Sequence, residues 1–419
     1  MIKTGYKETE LGEIPEEWEL ENLGSILESI FYGVTAKSTK ENTDIKFLRT
    51  TDIINFNFTP RDLPFCRITE IRTNLSKYFL KNGDIIVARA GTVGISVLVK
   101  EDLNNIIFGS YLIKLKFNTA KVDPNFVHYF FQSRFYWNKI YSAQGSTIKN
   151  INIPFLKSII IPLPNIMEQQ KIAKILLDTD DLISSLDELI TKKENIKTGL
   201  MQELLTKGIG HTEFKDTEVG RIPKEWEIKR LVEISKIFSG NTAPQKEEYF
   251  KNGKYAFIRV RNLTNTMICK YPLKYDLIND KAVQDLKLKK FKKGDIIFPK
   301  SGESIKLEKR AILKEDSYVV NHLAIIEPTN KINNLFLFYY INTIKTADYL
   351  VGSSMPSLQL SIIKNFPVLF PLLEEQKKIA DILSDIQQEI ESLEQKREKY
   401  KMIKSGLMQQ LLTGKVRVK

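Results

Sequence analysis

The sequence predicts an α+β chain: two domains of one design, joined by two long helices that pair as an antiparallel coiled coil, with pseudo-two-fold symmetry between the halves. Three observations carry this. First, the chain repeats itself. Residues 6–20 read YKETELGEIPEEWEL and residues 214–228 read FKDTEVGRIPKEWEI, identical at nine of fifteen positions. Second, Glu168-Gln169-Gln170-Lys171-Ile172-Ala173 opens a segment that closes on Gly199-Leu200-Met201-Gln202, and Glu375-Gln376-Lys377-Lys378-Ile379-Ala380 opens one that closes on Gly406-Leu407-Met408-Gln409. Both openings and both closings are 207 residues apart, so the segments match without insertion. Third, the stretches before them mix short apolar runs with aromatics at helical spacing. A repeat of this length is a duplicated domain, not a solenoid unit. The boundaries read as a domain over 1–164, a helix over 165–208, a second domain over 209–371 and a second helix over 372–419.

Size and composition agree with that plan. At 419 residues the chain exceeds what one hydrophobic core supports. A hydrophobic content of 42% and 23 Phe argue for folded domains. No run of about eighteen apolar residues occurs, and the first residues lack the apolar core of a signal peptide, so a cytoplasmic protein is expected. Cys66 and Cys269 make neither a disulfide framework nor a metal-ligand spacing. The net charge of +12 favours a polyanionic partner, most often nucleic acid.

The repeat continues through each domain. Ile30-Phe31-Tyr32-Gly33-Val34-Thr35-Ala36 answers Ile237-Phe238-Ser239-Gly240-Asn241-Thr242-Ala243, and Phe47-Leu48-Arg49 answers Phe257-Ile258-Arg259. Gly83-Asp84-Ile85-Ile86 with Gly91 answers Gly294-Asp295-Ile296-Ile297 with Gly302. The Gly-Asp pairs read as turns into buried strands. Tyr111 to Phe117 alternates as a half-buried strand does. Val122-Asp123-Pro124 is a helix start signal, with aromatics at helical spacing as far as Tyr141, and Leu335 to Tyr340 holds the matching place. Residues 53–82 and 263–293 share little, nor do 92–108 and 303–319. Divergent loops on a shared scaffold fit two domains with different targets, and fit surface drift as well.

In the first helix the apolar positions step by three and four through Ile172, Ile175, Leu182, Leu186, Leu189, Ile196 and Leu200, with Thr179 and Lys193 as polar interruptions. In the second they run Ile379, Ile382, Ile386, Leu393, Tyr400, Ile403 and Leu407, interrupted by Glu389 and Lys396. Sustained heptad spacing predicts a coiled-coil seam. Asn165 is placed to cap the first helix ahead of Glu168.

No catalytic constellation is present. A phosphate-loop motif is absent, and Gly91-Thr92-Val93-Gly94 lacks the first glycine of a dinucleotide fingerprint, so it reads as a tight turn. His128, His211 and His322 are scattered and read as structural, and no metal site is expected. Neither Asn-Pro-Pro-Tyr nor Asp-Pro-Pro-Tyr occurs. Nucleic-acid contacts have better candidates. Arg89 leaves a strand beside glycine, and Lys300-Ser301 occupies the same place in the second half. A long cation there suits a phosphate or a guanine edge, or is a plain surface cation beside a turn. Arg49-Thr50 and Arg259 recur at Phe-x-Arg, with Arg261 following. Ser146, Thr147 and Lys149, and Ser353 and Ser354, lie in loops suited to phosphate contact or to helix capping. Thr35, Lys37, Arg67, Arg72 and Thr242 complete the DNA-contact set.

The doubled T-E-x-G-x-I-P-x-E-W, G-D-I-I, E-Q-x-K-I-A and G-L-M-Q motifs together resemble the specificity subunit of a type I restriction–modification enzyme, over essentially the whole chain. The resemblance implies two target-recognition domains, each reading one half of a split, asymmetric double-stranded DNA site, and a coiled coil that sets the spacer. It implies two methyltransferase subunits that methylate adenine at N6 with S-adenosylmethionine. Nuclease (restriction) subunits using ATP and Mg2+ complete the complex, and this subunit carries no cofactor. The exposed helix face, including the Gly-Leu-Met-Gln ends, is the expected docking surface for the methyltransferases. The second domain departs from the first at Pro299-Lys300, where the Arg-x-Gly of Arg89 and Gly91 and the second glycine are lost. A stand-alone bipartite DNA-binding protein and a basic coiled-coil scaffold are the competing readings.

Overall fold

The computed structural model describes residues 4–68, 75–143, 150–263, 276–350 and 356–418. It divides into two compact units, Met1–Asp187 with Lys396–Lys419, and Glu188–Gln395. Each unit therefore holds one domain, one half of the first long helix and the opposite half of the second.

In the first unit an antiparallel sheet runs in the order Leu27–Tyr32, Leu112–Phe117, Ile85–Ala88, Ser96–Leu98. A second sheet runs Ile106–Phe108, Lys46–Leu48, Phe65–Ile68, Ala36–Thr39, its first pair parallel. Strand Ile85–Ala88 is buried on both faces, which is why it reads as an unbroken apolar run and not as an alternation. Ile85 and Val87 face a core built with Ile113, Leu115, Phe126 and Val127. Ile86 and Ala88 face another with Leu48, Phe108 and Leu112. Asp123 caps helix Pro124–Phe130 by accepting the Asn125 and Phe126 N–H groups, and a second helix, Arg134–Ala143, continues the aromatic stretch.

The second unit repeats this. Its main sheet runs Ser235–Ser239, Leu323–Pro328, Ile296–Pro299, Ala311–Ile312, and its smaller sheet Asp276–Ile278, Tyr255–Ile258, Tyr318–Val319. Helix Asn334–Ile341 takes the place of Pro124–Phe130, capped by Asn333. One difference lies beneath the Gly-Asp turns. Asp84 is buried in an ion pair with Lys114 at 2.8 Å, whereas strand Leu323–Pro328 is apolar where it crosses Ile296, and no described cation pairs with Asp295. Burial pushes the Asp295 carboxyl up to about 6.

The doubled motifs meet in space. Trp18 of the I-P-x-E-W motif donates its indole N–H to Glu168, which opens the first long helix, at 3.3 Å. Arg417, past the end of the second long helix, grips the same carboxylate at 2.7 and 2.9 Å. In the second unit Trp226 donates to Glu375 at 3.0 Å, and His211 and the Ile209 N–H close on that carboxylate at 2.9 and 3.0 Å. The following glutamines are brackets too. Gln169 bonds the Asp123 N–H and the Pro164 carbonyl, and Gln376 bonds the Asn333 N–H and the Pro371 carbonyl. The strand before the first helix, Ile160–Leu163, pairs with Glu19–Asn22, and Pro367–Phe370 pairs with Glu227–Arg230.

The long helices are Ile166–Leu204 and Leu373–Leu411, 39 residues each, about 58 Å long. Asn165 caps the first through the Glu168 N–H at 2.9 Å. Within each unit the halves run antiparallel. Asp180 meets Lys404 at 2.7 Å and Asp187 meets Arg397 at 2.9 Å in the first unit. Lys193 meets Glu389 at 2.5 Å and Lys197 meets Gln387 at 2.6 Å in the second.

The seam differs from its sequence reading. Ile172, Leu186, Leu200, Ile379, Ile386, Leu393, Tyr400 and Leu407 are buried or half-buried as expected, and Ile175 is half-buried, but Leu182, Leu189, Ile196, Ile382 and Ile403 are exposed. The inward positions are Ile172, Leu176, Thr179, Ile183, Leu186, Ile190, Lys193, Lys197, Leu200 and Leu204, a heptad stepping four then three. The second helix follows with Ile379, Leu383, Ile386, Ile390, Leu393, Arg397, Tyr400, Lys404, Leu407 and Leu411. Apolar residues sit side by side at 175/176, 182/183 and 189/190, so two seams are equally apolar there. Long cations at 197, 397 and 404 then hide the true one, since their stems pack inward while their charges find partners. The Gly-Leu-Met-Gln ends are also corrected. Leu407 and Met408 pack on the first unit's core with Leu411 and Leu412 inside it, and Leu200, Met201, Leu204 and Leu205 do so in the second. Only their Gly and Gln face outward.

Candidate nucleic-acid interface

Four loops converge at one end of the first domain's sheets. The Gly33 N–H donates to the Leu112 carbonyl, Val34 pairs with Gly109, and the Gly109 N–H donates to the Leu48 carbonyl. The Arg89 N–H donates to the Tyr111 carbonyl at 2.9 Å. A Cβ at Gly33 would lie 2.3 Å from the Gly109 carbonyl oxygen, so this approach admits only glycine. Four candidates, Thr35, Arg49, Thr50 and Arg89, are thereby brought to one site.

The second domain builds the same site. The Gly240 N–H donates to Leu323, Val320 N–H to Ile258, and Lys300 N–H to the His322 carbonyl at 2.9 Å. A Cβ at Gly240 would meet the Val320 oxygen at 2.1 Å. Thr242, Arg259, Lys300 and Ser301 converge here, and matched backbone bonds make Lys300 the counterpart of Arg89. Gly91 and Gly302, just beyond the cations, have φ of +75° and +80°, which fits the tight turn expected at Gly91.

The cations differ in availability. The Arg89 guanidinium lies over the Tyr32 ring at 4.6 Å, and its buried Nε has no hydrogen-bond partner. It is oriented, with no carboxylate partner among the described residues. Arg49 is engaged: its Nε and Nη2 reach Asp52 at 2.9 and 2.7 Å, and that hydrogen bond raises its pKa. Arg259 and Arg261 both bond Asp276. Arg49 thus closes the turn that carries Thr50, while Arg259 ties its turn to strand Asp276–Ile278. Lys37 and Arg67 lie away from this convergence, opposite one another on adjacent strands of the second sheet, with Arg67 paired to Glu41. Arg72, Ser146, Thr147, Lys149, Ser353 and Ser354 lie outside the described residues.

Sequence reasoning missed three features of this edge. Tyr111 is 64% exposed at the tip, and its counterpart His322 is exposed with Nδ1 2.7 Å from Ser301 Oγ. Lys289 is fixed by two backbone bonds to the Asn241 side chain, and its ammonium lies over Phe238. The signal for Lys289 was the run of five lysines in residues 287–293. The sequence reading puts Tyr111 inside its strand and His322 among structural histidines, and it misses their exposure because both strands begin one residue later. Among the described residues no cluster of three or more His, Cys, Asp or Glu could hold a metal. Among them, too, no helix is long and apolar enough to cross a membrane.

Residues 15–197 and 223–401 both match the model of the family described as the type I restriction modification DNA specificity domain. The chain belongs to that family. The MjaIX type I restriction enzyme specificity subunit of Methanocaldococcus jannaschii is 29% identical over 99% of this chain and 97% of its own. The type I restriction–modification system S subunit of M. genitalium covers 94% of this chain and 96% of its own at 17% identity, with a TM-score of 0.58. A chain from a structure describing complex assembly and conformational transition of the type I R-M system covers 96% of this chain and 99% of its own at 16% identity, with a TM-score of 0.54. These two likenesses concern the fold. The family match covers both domains and most of both helices, and identifies the chain as a DNA specificity subunit with two recognition domains, a non-catalytic role.

Proposed function

We propose that each domain reads one half of a bipartite, asymmetric DNA site, and that the paired helices fix the spacer between the halves. The observation that carries this is the doubled convergence of loops, built on the same backbone bonds but filled with different side chains. Arg89 faces one half-site and Lys300 the other, with Thr35, Thr50, Thr242 and Ser301 beside them for phosphate or base-edge bonds. Lys37 and Arg67 contact the phosphate backbone, where two facing cations are an asset. Arg49, Arg259 and Arg261 brace the contact loops from their carboxylate pairs.

Two methyltransferase subunits dock on the outward faces of the helices. Leu182, Leu189 and Ile196 form an exposed stripe at seven-residue spacing, an arrangement suited to a partner helix or sheet. S-adenosylmethionine belongs to those partners, and ATP and Mg2+ to the nuclease subunits. The complex works in the cytoplasm. Methylation mapping of a host that expresses the complex tests the reading, the expected result being one split, non-palindromic motif. Arg89→Ala is expected to relax one half of it. A single continuous motif, or none, would reject the proposal.

A further inference from the structure

Each cation at the tip is tied, through its own backbone, to one exposed residue. The Arg89 N–H bonds the Tyr111 carbonyl and the Lys300 N–H the His322 carbonyl, both at 2.9 Å. Positions 111 and 322 are therefore the same structural position filled with different chemistry. Neither side chain belongs to a hydrophobic cluster. Tyr111 is left 64% exposed in the turn before its strand, although an aromatic of this size ordinarily buries its ring. Its neighbour Arg89 has a guanidinium steadied by Tyr32 and donors without a partner among the described residues. His322 is exposed as well, but its ring is steadied: Nδ1 lies 2.7 Å from Ser301 Oγ, which leaves Nε2 for a single outside bond in either tautomer.

We propose that Tyr111 and His322 are specificity-determining residues, one for each half-site. Tyr111 presents a flat face and a phenolic O–H to a base pair beside the one that Arg89 contacts. His322 offers one hydrogen bond from Nε2 to a base edge, with Ser301 fixing its orientation. A tyrosine and a serine-held imidazole at matched positions make the two half-sites differ, which lets duplicated domains read an asymmetric site. The inference rests on the half-site reading above and goes beyond it by naming the residues that discriminate.

The test uses the full chain with its methyltransferase partner and a library of duplexes randomised over about three helical turns, roughly 30 base pairs. Bound sequences are compared for the wild type, Tyr111→Ala, Tyr111→Leu, His322→Ala, His322→Gln and Ser301→Ala. Tyr111→Ala and Tyr111→Leu are expected to lower discrimination at one or two base pairs of one half-site by roughly ten-fold, leaving the other half intact. His322→Ala is expected to do so in the other half-site. Ser301→Ala gives a smaller loss at the same base pairs, and His322→Gln shifts the preferred base. Unchanged preferences in the Tyr111 and His322 variants would overturn the inference. So would a uniform loss of affinity with preferences intact, which marks a phosphate contact. A wild type that selects no split sequence would instead defeat the half-site reading itself.

Discussion

The indole N–H of Trp226 donates to the Glu375 carboxylate at 3.0 Å, and Trp18 holds Glu168 in the same way. Each carboxylate is the point where a domain's first strands, the start of one long helix and the tail beyond the other meet. The tails differ, Arg417 in one unit and His211 in the other, but the socket is shared.

Removing that socket is expected to be costly. Glu168 is 3% exposed, and Glu168→Ala would leave the Trp18 indole without an acceptor and Arg417 with Glu17 alone. A destabilisation of about 2–3 kcal/mol is expected, from a buried donor left unpaired and a charge pair lost. Chemical denaturation measures it, and Arg417→Ala in the Glu168→Ala background should add little.

Asp295 is expected to favour the folded state at low pH. Its folded pKa, raised to about 6, exceeds the unfolded value of 3.8, so the folded state binds the extra proton. Its contribution is fully present below about pH 4 and lost as pH rises through about 6. Asp295→Asn is expected to flatten this slope and to stabilise the protein by about 1–2 kcal/mol at pH 7. Thermal melts from pH 4 to 7, roughly the window in which the carboxyl ionises, read both effects.

The corrected seam makes opposite predictions for adjacent residues. Ile190 is 4% exposed and Leu189 39%. Ile190→Ala is expected to cost about 2–3 kcal/mol, and Leu189→Ala less than about 0.5 kcal/mol. Equal losses in a denaturant titration would restore the three-then-four seam.

Leu182→Asp with Ile196→Asp tests the docking face. Both residues are exposed, so the chain's melting temperature is expected to stay within about 2 °C of the wild type. The methyltransferase is expected to be lost from affinity-purified complex. Full retention of the partner would move docking elsewhere.

Much of the fold was legible because duplication supplied two readings of each element. The Gly-Asp turns, the Asp123 start signal and the Asn165 cap are local signals, and the structure honours them. The seam was not legible, because paired apolar positions permit two registers and only partners across the helix pair, such as Asp180 for Lys404, decide between them. The site was half legible. Arg89 and Lys300 stand out beside glycine, but no local pattern shows that Arg49 is spent on Asp52 or that Tyr111 projects from the tip.

If the helices are a ruler, the spacer length in the methylated motif reports it directly. One heptad inserted after Asp187 in the first long helix and before Arg397 in the second keeps the four-then-three seam in phase at two residues that bond at 2.9 Å. Each helix lengthens by about 10 Å at 1.5 Å per residue. Duplex DNA rises about 3.4 Å per base pair, so the spacer is predicted to grow by about three base pairs with both half-sites unchanged. An unchanged spacer, or altered half-sites, would contradict the account.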